Sequence, residues 1–334
     1  IDLRSNSLLF CQLWTQIAPG AVEGFKRCST RDRAFSVVFK GEGGQDAGGL
    51  YRELLDDIVK ELQQPHPQPA VLPLFVPSAN QSGDVGDDRS SFFLNPHATS
   101  SVCMSMLRFV GQLMGLAIRT YCPLALDLPI LFWKRLMRER PSLRDLATSD
   151  ILSTERVRSF RLLAREKKKA EFDERHSFDP PVWQVNDAAG KAVPLSPTHG
   201  IDELVSYEDC ERFAHKLREF KLCECDEQLN QIRIGISEVV PFKLICGLWS
   251  VEDFRSRVAG EIVIDVDALK AHTVYEDGLD LLSTEIVAFW GAIEDMDNAQ
   301  RNIFSSSFTS ISPNTFYDYS VHCRYCVKFV LNYQ

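Results

Sequence analysis

Apolar residues recur along much of the chain at helical spacing, broken by a few short runs with the composition of strands. Leu50, Leu54, Ile58 and Leu62 repeat every fourth position, and Leu55 and Val59 widen the stripe. This predicts a helix opened near Asp46 and ended by Pro65, Pro67 and Pro69. Val102, Met106, Val110, Leu113 and Ala117 mark a longer helix, with Thr99 or Ser100 as its cap. Gly111 and Gly115 lie four apart in it, so a neighbouring element can approach that face closely. Further helices are predicted over 128–137, with Pro129 in the first turn, and over 207–220. Residues 229–248 return to apolar periodicity. Strand-like runs occupy 35–39, 72–76 and 91–94.

Between these elements the chain changes character. Residues 142–213 are more polar and mixed, with a loop expected over 186–200. The basic run 165–169 is bracketed by Glu166, Glu171, Asp173 and Glu174, so it reads as a solvated helix face. Residues 253–261 form a candidate boundary, followed by a smaller acidic segment to Phe304. From Ser305 a serine-rich stretch runs into an aromatic and cysteine-rich end without an amphipathic pattern.

Length and charge narrow the function. A chain of 334 residues suggests about two domains, enough to bury a core without disulfides or metal. Its net charge of −9 argues against nucleic acid, whose binding rests on neutralising phosphates. The chain opens on Ile1, as an excised domain would, without the pattern of a signal peptide. The most apolar window, 102–118, contains Arg108 and Gln112 and reads as a core helix rather than a membrane span. Ten cysteines, mostly single and within apolar segments, fit reduced thiols in the cytoplasm.

Candidate chemistry is sparse. The loop Gly41-Glu-Gly-Gly-Gln-Asp-Ala-Gly-Gly49 sits between a strand and a helix, where phosphates often bind. It lacks the Lys-Ser/Thr of a nucleotide loop, and Glu42 and Asp46 would repel a phosphate, so a tight turn is expected. Asp56 and Asp57 lie on the outer side of their helix and read as surface. His322-Cys323-Arg-Tyr-Cys326 has no second ligand pair, so no metal site is expected.

The segment Phe35-Ser-Val-Val-Phe-Lys-Gly-Glu-Gly-Gly-Gln-Asp-Ala-Gly-Gly-Leu-Tyr-Arg-Glu53 resembles the opening signature of HECT-type E3 ubiquitin ligases. Asn95-Pro96, Phe109-Val-Gly-Gln-Leu-Met-Gly-Leu-Ala117, Leu126-Asp-Leu-Pro129, Ser142-Leu-Arg-Asp-Leu146, Val239-Val-Pro241 and Ile264-Asp-Val-Asp-Ala-Leu269 follow in the family's order. Thr273-Val-Tyr275, Gly278 and Phe289-Trp290 complete the match, which runs over about 30–304. Tyr51 and the loop between Pro77 and Asn95 are most similar to the large HERC-type members.

The resemblance implies a two-lobed α+β domain. A mainly helical N-lobe would span 1–260, with an E2-binding subdomain at about 141–214. A hinge near 260–263 would lead into a C-lobe beginning within 261–304, and 305–334 does not match the family. Such domains take ubiquitin from an E2 thioester onto a cysteine and pass it to a substrate lysine; no cofactor is implied. The partners implied are a ubiquitin-charged E2, ubiquitin and a protein substrate. Family alignment puts Phe213 on the E2 groove, with Leu152, Val157 and Phe160 as further contributors. The family's cysteine lies about fifty residues after Phe289-Trp290 within Leu-Pro-x-x-His-Thr-Cys-Phe, a motif that these 334 residues do not contain. Cys323 is the remaining candidate acceptor, and a non-catalytic E2-binding scaffold is the alternative reading.

Overall fold

The computed structural model describes residues 8–30, 32–36, 49–64, 72–195, 200, 202–260, 265–271, 273, 275, 280–296 and 300–301. The glycine loop, most of the 35–39 strand, the 260–263 hinge beyond Gly260, and both Cys323 and Cys326 lie outside them. Two compact units emerge: 1–32 with 57–259, and 33–56 with 260–334. The fold is α+β and mainly helical, with short strands.

In the first unit, α1 (Leu9–Ile17) has no side-chain cap of its own. Glu61, near the end of α3 (Gly49–Leu62), supplies one by accepting from the N–H groups of Leu9 and Phe10, each at 2.8 Å. A carboxylate there satisfies two of the donors a helix start leaves open and suits its positive end. Between these helices lies α2 (Ala21–Arg27). Strand β1 (Phe75–Pro77) leads through α4 (Ala79–Gly83) to β2 (Phe92–Leu94), which pairs with it antiparallel, Val76 opposite Phe93.

The centre of this unit is α5 (Ser101–Thr120), capped by Ser100, whose Oγ accepts from Cys103 N–H at 3.1 Å. By length and composition α5 could cross a bilayer, but 72% of its most apolar window is buried inside the fold. Its partner is α11 (Asp226–Val239), and glycine sets their separation. A Cβ on Gly235 would lie 1.9 Å from the Arg108 carbonyl oxygen, and one on Gly111 would lie 2.2 Å from that of Ile232. The element expected to approach Gly111 and Gly115 is therefore α11. The crossing is tied at its edge by Glu238, which accepts from Arg108 Nε at 3.0 Å and Gln112 Nε2 at 2.8 Å.

The helix expected over 128–137 is α6 (Ile130–Leu136), with Pro129 as its N-cap rather than in its first turn. Its Trp133 is fully buried edge-on to Phe132, and its indole N–H donates to the Leu128 carbonyl. The boundary expected over 253–261 falls where the first compact unit ends, at Ala259, and helix runs up to it: α12 (Phe242–Leu248) and α13 (Val251–Ala259) bury Phe242, Phe254 and Val258. Phe254 and Val258 stand one helical turn apart on the buried face of α13.

In the second unit, α14 (Val266–Ala271) and α15 (Thr284–Asp295) bury Val266, Ile286, Trp290 and Ile293 together. The Trp290 indole N–H donates to the Tyr275 hydroxyl at 2.8 Å.

Candidate functional site

Within the first unit a separate hydrophobic cluster forms over the polar stretch. Helix α7 (Leu143–Ala147) starts in a capping box, Ser142 with Asp145. Helix α8 (Ile151–Arg165) is capped by Asp150, whose Oδ1 accepts from Ser153 N–H at 2.8 Å. Then come α9 (Lys169–Arg175), the hairpin β3 (Gln184–Asn186) and β4 (Ala192–Pro194), and α10 (Cys210–Cys223). The hairpin replaces part of the loop expected over 186–200. Gly190, at φ +81°, turns it, and Asp187 Oδ1 accepts from the N–H groups of Ala189 and Lys191.

The cluster is aromatic at its heart. Phe213 on α10 stacks tilted on Phe160 of α8 at 4.7 Å and meets Trp183 edge-on at 5.6 Å. Val157, Leu163, Phe172, Val185 and Leu217 close around them. Phe213 and Val157 are fully buried and Phe160 is 3% exposed, so Phe213 and Val157 offer a partner no surface as packed. As packed, both side chains face the core of the cluster. The physical reason is helical phase: Val157, Phe160 and Ala164 fall on the stripe of α8 that faces α10.

The other stripe of α8 lines a groove. Its cavity, about 460 Å³, is walled by Glu155, Arg156, Ser159 and Phe160 of α8, and across from them by His176, Asp179 and 180–182. Leu152, which is 64% exposed, lies on the same face one turn earlier, at i to i+3 and i+4 from Glu155 and Arg156. Of the four residues expected from sequence, Phe160 lines the groove, and Leu152 is exposed one turn before Glu155 on α8. The family resemblance does not imply Glu155, Arg156 or Ser159; stepping by three and four from Leu152 along α8 reaches them.

The groove is polar on its α8 side. Glu155 is paired with Arg158. Arg156 lies over the Phe213 ring, its Cζ 5.0 Å from the centroid. Burial pulls its guanidinium below the ordinary arginine value, opposed by the charge of Asp179. His176 holds one ring nitrogen, Nδ1, 3.0 Å from the Phe172 carbonyl oxygen.

Six described thiols are shifted away from the character of an activated nucleophile. Burial raises Cys11, Cys28, Cys223 and Cys246, pushes Cys210 up to about 11, and pushes Cys225 well above the ordinary value. A transthiolation acceptor needs the opposite shift, since thiolate is the attacking species. Among the described residues no cluster of His, Cys, Asp and Glu could hold a metal ion.

The HECT-domain (ubiquitin-transferase) family model matches residues 61–313. The chain is 31% identical to human E3 ubiquitin-protein ligase HERC2 over 274 residues, 81% of this chain and 5% of that protein. It is 32% identical to human probable E3 ubiquitin-protein ligase HECTD4 over 311 residues, 87% of this chain and 8% of that one. Mouse E3 ubiquitin-protein ligase HUWE1 is 26% identical over 281 residues, 83% of this chain and 6% of its own. The chain therefore spans less than a tenth of the length of these relatives. With helices, core stripes and family motifs running together over most of its length, the chain belongs to the HECT ubiquitin-transferase family.

Proposed function

We propose that this chain is a ubiquitin-transferase domain that docks a ubiquitin-charged E2 in the α8 groove, and that the cluster at about 141–214 is its E2-binding subdomain. The observation that carries the docking reading is the groove itself. It is an open cavity of about 460 Å³ on a separately packed cluster, with exposed Leu152 one helical turn earlier on α8, and it is backed by an aromatic core that fixes α8. Ubiquitin would pass from the E2 thioester to a cysteine and then to a lysine of a protein substrate. With the N-lobe assigned to 1–260, the C-lobe begins within 261–304.

The acceptor decides between two readings. The described thiols with raised values are unsuited to the step, and Cys323, next to His322, is the candidate acceptor taken from the sequence. The second reading is a docking module that accepts no ubiquitin itself. A thioester assay separates them. The chain is mixed with E1, an E2 panel, ATP and ubiquitin and run on a non-reducing gel. A thiol-sensitive adduct lost in Cys323→Ala supports transfer through Cys323. E2 binding without an adduct supports the docking module, and absence of E2 binding refutes both.

A further inference from the structure

Arg156 stands apart from the other charges of the groove. Glu155 already has Arg158, and Asp179 is exposed to water. Arg156 is half-buried against Phe213, and among the described residues it makes no hydrogen bond and no ion pair. Removing a guanidinium from water is costly, and in the free domain much of that cost is already borne. A carboxylate arriving in the groove would find a planar donor fork held by an aromatic face and already partly dried. Exposed Leu152, and Phe178 beside Asp179 in the chain, offer apolar area on which the rest of an incoming loop can rest.

We propose that the groove selects E2 enzymes whose docking loop presents an acidic side chain, with Arg156 as the residue that reads it. The inference rests on the docking reading above and adds the chemistry of the partner. Two groups oppose such a ligand. Asp179 faces Arg156 across the cavity, and Glu155 lies beside it on α8, its charge engaged by Arg158. The proposal therefore requires effects of opposite sign: loss of Arg156 weakens docking, and loss of the Asp179 charge strengthens it.

The test titrates the whole chain into labelled E2 enzymes that differ in the charge of their surface loops, at low and at moderate salt. Expected are tighter binding by acidic-loop E2s, a loss of about tenfold or more in Arg156→Met, and a gain of a few fold in Asp179→Asn. Arg156→Lys should retain part of the affinity. Arg156→Glu should regain binding when the E2 loop carboxylate is replaced by lysine. Circular dichroism checks that each variant keeps its fold, and Asp179→Asn, on an exposed residue, gives an independent reading. If the E2s bind but Arg156→Met binds equally or more tightly, or apolar-loop E2s are preferred, the inference is overturned while the docking reading stands. If no E2 binds, the docking reading falls and the inference with it.

Discussion

Glu224, the C-cap residue of α10, should make this domain less stable as pH rises from mildly acidic to neutral, and Glu224→Gln should abolish that loss. Its Oε2 is enclosed and has no hydrogen-bond partner. Nearby, Lys221 is committed elsewhere: its Nζ lies 2.8 Å from Asp150 Oδ2 and 2.7 Å from the Asn186 carbonyl oxygen. Burial pushes Glu224 up to about 7; Lys221 opposes the shift, and the carboxylates of Asp187 and Asp150 add to it. The carboxyl's ordinary value is 4.5, so between there and about 7 the folded chain holds a proton that the unfolded chain has released. Stability then falls as pH rises through that window and levels off above it. At about 1.4 kcal/mol per pH unit the full effect approaches about 3 kcal/mol. Partial solvent contact of the side chain brings the expected value to about 1–3 kcal/mol. Urea unfolding of wild type and Glu224→Gln, followed by tryptophan fluorescence from pH 4.5 to 8.5, measures it, and the difference cancels groups common to both. The variant should match wild type near pH 4.5 and exceed it by that amount above pH 7. A difference that is flat with pH, or a variant weaker at pH 8, would refute the reasoning.

Three further outcomes follow from packing and exposure. Gly235→Ala drives a methyl group into the Arg108 carbonyl and should cost about 3 kcal/mol or more, whereas Gly24→Ala, with open space around it, should gain about 0.5–1 kcal/mol. Equal melting temperatures for the two would sink the account of the α5–α11 crossing. Phe213→Ala empties the aromatic cluster and should cost about 3–5 kcal/mol, while Leu152→Ala should leave the melting temperature within a degree or two and weaken E2 docking instead. A stable Phe213→Ala protein would contradict the core placement. A maleimide at pH 8 should label exposed Cys223 ahead of Cys210 and Cys225, which are fully buried and whose thiols burial pushes up; peptide mapping reads the order.

The sequence made the long elements legible because their apolar positions repeat: the α5 stripe, its Ser100 cap and the close approach at Gly111 all follow from spacing. Short elements were harder. The 192–194 strand carries Ala, Val and Pro, too few residues for a period, and it exists because Asp187 and Gly190 turn the chain back on β3. The boundary expected over 253–261 matches the end of the first compact unit at Ala259, and the chain up to it is helix, with Phe254 and Val258 one helical turn apart and both buried. The groove was less legible. The family resemblance put Phe213, Phe160 and Val157 on a contact surface, where aromatic residues are common. Yet a small cluster with few other large residues needs those side chains for its own core, where Phe213, Phe160 and Trp183 hold one another. What lines the groove is then what α8 carries beside that core, Glu155, Arg156 and Ser159, with exposed Leu152 one turn earlier. A surface built this way sets its partner through charge and shape rather than apolar area, so its specificity is written in the residues that apolar pattern reading passes over.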